Sequence, residues 1–289
     1  MNYEGNVIRP PSESDSIILQ VTVGCSHNKC SFCATYRDQM FRLKDDRTIE
    51  DDLDFAARYC KRQKRVFLAD GDVLSLPQRK LVWIFERIKT RLPWVNRIAL
   101  YGNAKNILRK SEDELRQLKG LGLARVYMGL ESGHPPTLAA INKGVDPAKM
   151  IEAGRLIRTT GLFLSVTVLL GIAGINNSVA HARATGRVIS EMKPNQVGVL
   201  TLMLLPGTPL YKMAENKEFA LPDQTGLLKE LHSIVKNIEV ERLQFQANHA
   251  SNYLPINCRL PKDRFSVLAA IEKAINGEIA LKPEYLRAL

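Results

Sequence analysis

The sequence contains no hydrophobic run long enough to cross a bilayer. Its longest apolar stretch, residues 162–175, is short and is interrupted by Ser165 and Thr167. The first 15 residues lack the apolar core of a signal peptide, so nothing points to secretion. These absences predict a cytoplasmic protein with no membrane partner.

Internal repeats, low-complexity tracts and convincing linkers are also missing. Hydrophobic residues make up 45% of the chain and charged residues 25%, the balance of a folded globular protein. We therefore expect one core from residue 16 to 224, preceded by a short lead-in, residues 1–15. The sequence changes character after residue 224, and we expect residues 225–289 to form an extension packed on the core.

Acidic residues are fewer than basic ones, which gives a formal net charge of +11. The basic residues concentrate in two stretches, residues 37–47 and 61–65. Such a surplus can attract nucleic acid or phosphorylated metabolites. Because no nucleic-acid-binding motif accompanies the charge, a solvated basic surface is the preferred interpretation and a nucleic-acid partner the weaker one.

Strand-like runs alternate with helix-like segments at a spacing of about 30 residues, as in β-α units. Several runs are almost wholly apolar, which is typical of parallel strands covered on both faces. Capping signals at Thr48, Ser111 and Asp146 mark helix starts between them. The alternation predicts an α/β fold, a partial (β/α)6 TIM-like barrel with a short C-terminal α/β extension. The predicted strands are 16–23, 65–69, 97–101, 125–130, 163–170 and 196–205.

Cysteine is scarce, with five residues in the chain, yet three of them lie in one loop directly after the first predicted strand. Cys25, Cys30 and Cys33 are close enough in sequence for their thiolates to converge on one soft metal centre. A set of three ligands leaves a coordination position open for chemistry. In a reducing compartment such clustering favours a metal site or catalysis over disulfides.

Three kinds of metal site fit this loop. A structural zinc site needs a fourth ligand, and His27 is the neighbour at hand. A two-iron ferredoxin has the same C-x4-C-x2-C spacing and a distant fourth cysteine, for which Cys60 is a candidate. Cys60, however, falls on the apolar face of a predicted helix, which favours a core role. The third possibility is a four-iron cluster held by three cysteines.

The loop and its position resemble the radical S-adenosylmethionine (SAM) superfamily, whose usual spacing is three and then two intervening residues, where this chain has four and then two. Asp70-Gly71-Asp72, after the second strand, resembles the family's glycine-rich segment that meets the methionine amino group.

Later motifs extend the resemblance to about residue 211. Gly129–Gly133 and the following 139–144 resemble the oxygen-independent coproporphyrinogen dehydrogenases and the methylthiotransferases, as does 205–211. The turn at 170–174 resembles the family's glycine-containing turn but lacks its frequent acidic residue. The appended domains of methylthiotransferases and B12-dependent radical enzymes are not expected in this chain.

The resemblance implies a radical SAM enzyme, an oxidoreductase that binds one [4Fe-4S] cluster through Cys25, Cys30 and Cys33. SAM would occupy the open iron and be cleaved reductively to a 5′-deoxyadenosyl radical, which would abstract hydrogen from an unidentified small-molecule substrate. An external electron donor of the flavodoxin or ferredoxin type would supply the electron. The residues expected at SAM are Phe32, Asp70, Gly71, Asp72, Asn103, Glu131 and Ser132.

His249 is the candidate catalytic acid or base. It lies in a dense polar segment, residues 245–253, which could bind a polar substrate or could be a self-satisfied turn. Porphyrinogen oxidation and RNA modification are weaker possibilities for the reaction. A non-enzymatic iron-sulfur electron carrier or binding module is the alternative from a different class.

Overall fold

The computed structural model describes residues 1–288. The strands in that part of the chain are β1 (Ile17–Gln20), β2 (Thr22–Val23), β3 (Arg42–Leu43), β4 (Arg65–Ala69), β5 (Arg97–Tyr101), β6 (Leu123–Glu131), β7 (Phe163–Leu170), β8 (Gln196–Thr201), β9 (Leu243–Gln246) and β10 (Asn257–Leu260). The helices are α1 (Asp46–Tyr59), α2 (Gln78–Arg91), α3 (Ala104–Ile107), α4 (Glu112–Gly120), α5 (Pro135–Ala140), α6 (Pro147–Thr159), α7 (Gly174–Met192), α8 (Pro209–Glu215), α9 (Gln224–Lys236) and α10 (Arg264–Ile275).

One compact unit comprises residues 1–28, 35–128 and 156–164. In it β1, β4, β5 and β6 pair in parallel in that order. The predicted strands at 65–69 and 97–101 match β4 and β5 to the residue. The first strand is shorter than predicted, because Thr22–Val23 leaves it to pair antiparallel with β3.

The core of this unit lies on both faces of its strands. Helix α1 buries Ile49, Leu53 and Ala56 at one-turn spacings, as its apolar stripe predicts. On the other face the Phe67 ring meets Tyr101 and Tyr127 edge-on at 5.0 and 6.0 Å between centroids. The strands are therefore covered on both faces, as their continuous apolar sequence predicts.

The helix starts follow the predicted signals at Ser111 and Asp146 but not at Thr48. Ser111 forms a complete capping box with Glu114, and Asp146 accepts the Lys149 amide at 2.8 Å. Helix α1 begins earlier than expected, because the Asp45 carboxylate caps it by accepting the Thr48 amide at 2.8 Å.

The second unit comprises residues 29–34, 129–155 and 165 onward. Strands β7, β8 and β9 pair in parallel, and β10 adds to β9 in the antiparallel sense. Parallel pairing thus continues into the predicted C-terminal extension. The sixth predicted strand stops at Thr201, whose amide donates to the Ser251 hydroxyl at 3.1 Å instead of to another strand.

Parallel strands joined by helices confirm the predicted α/β class. The division into a core at 16–224 and an extension at 225–289 stays a prediction. Within residues 1–288, no helix is both long and apolar enough to cross a membrane.

The basic stretch at 37–47 is not a uniform cationic surface. The Lys44 side chain is buried, with its ammonium 3.6 Å from the Asp52 carboxylate. Arg42 pairs with Glu4. These pairs neutralise part of the charge that the sequence concentrates here, which weakens the argument for a nucleic-acid partner.

Candidate cofactor-binding site

Asp70 follows β4 and is fully buried. Its Oδ2 accepts hydrogen bonds from the Gln20 amide side chain at 2.8 Å and the Gly24 backbone at 3.2 Å, and the Tyr36 hydroxyl donates to Oδ1 at 3.3 Å. Burial raises the pKa of the Asp70 carboxyl, while the bonds from Gln20 and Gly24 oppose that rise. Asp70 therefore anchors the start of the cysteine loop to the strand end, and its contact with SAM stays a prediction.

Asp72 is also buried and binds the segment after β5. The Asn103 amide nitrogen donates to its Oδ1 at 3.1 Å, and the side chains of Asn103, Asn106 and Ser26 all donate to its Oδ2. Burial raises the pKa of the Asp72 carboxyl against the lowering effect of these donors. The structure thus brings together Asp72 and Asn103, two residues predicted separately, and adds Ser26 and Asn106 to them.

Gly71 packs directly against the first cysteine. A Cβ placed on Gly71 would lie 2.9 Å from the Cys25 Cβ and 3.0 Å from the Tyr36 ring. Its amide donates to the Gly24 carbonyl at 3.2 Å. A side chain at this position would therefore displace Cys25, and the paired acids around Gly71 hold the backbone that seats this thiol.

The other two cysteines lie in the second unit, where backbone bonds hold their loop on both sides of Ser31. The Ser31 amide donates to the Ile141 carbonyl at 2.9 Å, and the Leu210 amide donates to the Ser31 carbonyl at 3.0 Å. Ile141 and Leu210 belong to the motifs at 139–144 and 205–211 that follow the fourth and sixth predicted strands. Those motifs thus position the Cys30–Cys33 segment through their main chain.

The donor chemistry of this loop fits an iron-sulfur cluster. Among the described residues, which include every cysteine, no disulfide forms. The Ser31 hydroxyl is buried between Cys30 and Cys33 and has no hydrogen-bond partner among the described residues. Cluster sulfurs accept hydrogen bonds, so a bound cluster would offer this hydroxyl an acceptor.

Convergence of the three thiols stays a prediction. Cys25 belongs to one unit and Cys30 and Cys33 to the other, and no group of three His, Cys, Asp or Glu side chains is already gathered around a metal position within residues 1–288. Phe32, between the last two cysteines, is half-buried, and its contact with SAM stays a prediction as well.

Glu131 ends β6 in a left-handed conformation, with φ of 60°. A non-glycine residue seldom adopts this backbone, and such strain is concentrated at functional sites. The Glu131 carboxylate accepts from the Lys143 ammonium at 2.9 Å and folds over Gly129, where a Cβ would lie 2.2 Å from its Oε1. The acid predicted to bind SAM is thus held in a fixed, nearly buried ion pair.

Ser132 and Gly133 fix the next turn onto helix α7. The Ser132 side chain is fully buried, with its hydroxyl 2.7 Å from Nδ1 of His181. A Cβ on Gly133 would meet the Ala184 carbonyl oxygen at 2.5 Å, so a glycine is required at this close approach. Ser132 is therefore a buried structural group in this arrangement, and its contact with SAM stays a prediction.

The polar segment of the tail is partly a self-satisfied turn. The Asn252 side chain donates to the carbonyls of Val199 and Ala247 at 2.7 and 2.8 Å, and accepts from the Thr201 hydroxyl at 2.8 Å. Ser251 and Asn252 are buried. These bonds join the tail to the carboxyl end of β8, which places neighbouring His249 at that strand end.

His249 has a defined tautomer. The Ser251 amide donates to Nδ1 at 3.1 Å, so the neutral ring carries its proton on Nε2. Burial, with a smaller effect of Lys282, lowers the pKa of His249. The ring is thus a neutral hydrogen-bond donor near pH 7, suited to a polar substrate group, and its catalytic role stays a prediction.

The lowered pKa of His249 predicts a pH-dependent stability. The unfolded chain binds the proton more readily than the folded chain, so the free energy of unfolding falls as pH drops below about 6.5, by at most about 1.4 kcal/mol per pH unit for this group. Urea unfolding between pH 8 and 5 measures the slope. His249→Gln is expected to flatten it, whereas His232→Gln, at an exposed ion pair, is the control. An unchanged slope in His249→Gln would contradict the lowered pKa of His249.

Several site residues escaped the sequence analysis. Ser26 lies in the cysteine loop and Lys143 in the 139–144 motif, but neither motif indicates the side chain that each one contacts. Asn106 and Glu230 lie in no motif, and each reaches a strand end from elsewhere in the chain. Of these four residues, Lys143 could have been identified from the sequence, because it lies in the 139–144 motif.

Comparison with known proteins identifies the family. The sequence profile of the Radical SAM superfamily matches residues 19–185. A relative from Priestia megaterium, 4′-phospho-dehydrooxetanocin synthase, is 24% identical over 243 residues, which cover 76% of this chain and 32% of the relative. The chain therefore spans about a third of the length of that relative.

Solved structures share the fold. The radical SAM methyltransferase TsrM from Kitasatospora setae, solved with cobalamin and a [4Fe-4S] cluster bound, has a TM-score of 0.56 at 19% identity, covering 69% of this chain and 39% of TsrM. Coproporphyrinogen III oxidase from Escherichia coli has a TM-score of 0.56 at 14% identity, covering 76% of this chain and 51% of that enzyme. The predicted likeness to that oxidase is thus confirmed at the level of the fold. Because the superfamily profile covers more than half of the sequence, the chain belongs to the radical SAM superfamily of enzymes.

Proposed function

We propose that the chain binds one [4Fe-4S] cluster through Cys25, Cys30 and Cys33 and cleaves SAM reductively. The observation that carries the proposal is the seating of the cysteine loop. Cys25 rests on Gly71, and the Ser31 backbone is tied to the two later motifs at Ile141 and Leu210. Three thiols on a loop held in this way suit a cofactor that needs an open coordination position.

When bound, the cluster and SAM supply a one-electron cleavage of the sulfonium carbon–sulfur bond, which yields methionine and a 5′-deoxyadenosyl radical. The protein contributes position and electrostatics. Glu131, held by Lys143, offers a carboxylate to the cationic cofactor, and the buried Asp70 and Asp72 keep the glycine segment in shape beside Cys25. An external flavodoxin- or ferredoxin-type protein would deliver the electron.

The substrate in this proposal is a small molecule with a polar group near His249. The Nε2 proton of His249 supplies a hydrogen-bond donor, because the Ser251 amide occupies Nδ1. A radical that abstracts hydrogen needs a substrate held close and water kept away, and a buried polar turn at the strand end suits both.

Anaerobic reconstitution tests the proposal. The purified chain is loaded with iron and sulfide, reduced with dithionite and incubated with SAM, and 5′-deoxyadenosine is measured by chromatography. We expect a cluster with four irons and formation of 5′-deoxyadenosine without added substrate. A reducible cluster that yields no 5′-deoxyadenosine would instead support an iron-sulfur electron carrier.

A further inference from the structure

Three buried polar side chains form a continuous contact in the second unit. The Ser132 hydroxyl lies 2.7 Å from Nδ1 of His181, and Nε2 of His181 lies 3.4 Å from Oε1 of Glu230. The three side chains are exposed by 0%, 0% and 2%. Burial of this degree excludes a hydrolytic role for the serine and histidine, since no substrate reaches them.

Glu230 belongs to α9, in the C-terminal part of the chain, yet it binds the turn after β7. Its Oε1 accepts the Gly171 amide at 2.6 Å, and the Ser178 hydroxyl donates to its Oε2. The turn at 170–174 has no acid of its own. Glu230 therefore supplies a carboxylate to this turn from 59 residues further along the chain.

The hydrogen-bond directions follow from the donors present. An unprotonated Nε2 would place its lone pair against the Glu230 carboxylate 3.4 Å away, so Nδ1 is the acceptor nitrogen of His181. The Ser132 hydroxyl, which accepts the His134 amide at 3.0 Å, therefore donates to Nδ1. The neutral imidazole then carries its proton on Nε2, which faces the Glu230 carboxylate and makes no closer polar contact among the described residues. The Ser132 hydroxyl and the His181 Nε2–H thus both point in the direction of Glu230, as a buried carboxylate requires.

The contact between Ser132, His181 and Glu230 joins two strand ends. At one end Ser132 lies next to Glu131, the strained acid after β6, and at the other Glu230 holds the Gly171 turn after β7. The Gly171 turn is hydrogen-bonded to Glu230 directly, whereas the turn at 131–133 is hydrogen-bonded to His181, whose Nε2 lies 3.4 Å from the same carboxylate. A displacement of the Glu230 carboxylate is therefore expected to affect both turns. We therefore expect both turns to keep their positions only when the Glu230 carboxylate and the His181 ring are both present.

We propose that Glu230 and His181 are positioning residues for SAM: they set the turn at 131–133, which contains the proposed SAM residues Glu131 and Ser132, and the turn at 171–174 at the end of the neighbouring strand β7. This inference rests on the proposed function. It assigns to the C-terminal part of the chain a role in cofactor binding.

The test compares Glu230→Gln and His181→Gln with a matched pair on the surface. His232 and Glu272 form an exposed histidine–glutamate contact at 3.0 Å, with His232 on the same helix as Glu230. His232→Gln and Glu272→Gln therefore control for the chemistry of the substitution. Each reconstituted protein is assayed for iron and sulfide content, thermal unfolding, and the SAM dissociation constant from the EPR spectrum of the reduced cluster.

We expect Glu230→Gln and His181→Gln to keep the cluster and to weaken SAM binding by about tenfold, with the double variant no weaker than the single ones. The surface variants are expected to bind SAM like the wild type. Unchanged SAM affinity, or losses that add in the double variant, would overturn the inference. If Glu230→Gln does not fold, Ser178→Ala, which removes one donor to the same carboxylate, is expected to weaken SAM binding in the same direction, and unchanged affinity there would equally overturn it. A wild-type chain that holds its cluster but does not bind SAM would overturn the proposed function instead.

Discussion

Replacing Cys30 with alanine is expected to abolish binding of the four-iron cluster and, with it, all formation of 5′-deoxyadenosine. Only three thiols lie in the loop, so the loss of one leaves two ligands, and the remaining His27 is not part of the proposed set. The backbone of Ser31, which follows Cys30, is held by Ile141 and Leu210, so the variant loop is expected to keep its conformation. The effect should therefore be on iron content and not on folding. Iron and sulfide analysis with the ultraviolet–visible spectrum measures the first, and circular dichroism the second.

Cys60→Ala is the matched control. Cys60 caps the end of α1, where it is half-buried and where burial raises the pKa of its thiol, the reverse of what a ligand thiolate needs. The proposal expects this variant to keep its cluster. A ferredoxin-type site requires Cys60 as the fourth ligand and predicts that the cluster is lost. A full four-iron cluster in Cys30→Ala would contradict the ligand assignment directly.

Gly71→Ala is expected to have the second-largest effect. The added methyl group would lie 2.9 Å from the Cys25 Cβ and 3.0 Å from the Tyr36 ring, which is closer than packed carbons tolerate. Overpacking of this kind costs about 1–3 kcal/mol of stability. The side that yields is expected to be Cys25, because Tyr36 is buried and bonded to Asp70. We therefore expect Gly71→Ala to lose most of its iron while the protein stays folded.

Gly120→Ala provides the comparison for this substitution. Gly120 is the last residue of α4, and nothing lies within 4 Å of a Cβ placed on it. Urea unfolding and iron content, measured on both variants, separate a general glycine effect from displacement of Cys25. Equal iron content in Gly71→Ala and wild type would show that Cys25 does not depend on this close approach.

Much of the secondary structure could be predicted from the sequence because its signals are local. The apolar runs of β4, β5 and β7 and the caps at Ser111 and Asp146 are set by residues within a few positions of each other. The cap at Asp45 was missed because Thr48, three residues later, offers an equally good side chain. Local chemistry decides that an element exists more reliably than it decides where the element begins.

The site was predicted less completely, because its contacts are long-range. Asp72 and Asn103 were each identified from their position after a strand, but their mutual hydrogen bond depends on how β4 and β5 align. Nothing near Glu131 in the sequence indicates that Lys143 will pair with it. The dense polar segment around Asn252 has two possible roles that composition alone does not separate, and the bonds to Val199 and Ala247 decide in favour of a structural turn for that residue.

Glu230 also bears on how incomplete motifs are read in related sequences. The turn at Gly171 would be scored as lacking its acid by any search that reads a short window, and the carboxylate that binds this turn lies beyond residue 211, where the recognisable motifs end. The Gly171 amide therefore has a carboxylate partner although the turn itself contains no acid. In related sequences, a turn without its acid is therefore better judged by the partner of its backbone amide in the structure than by the residue type at the expected position.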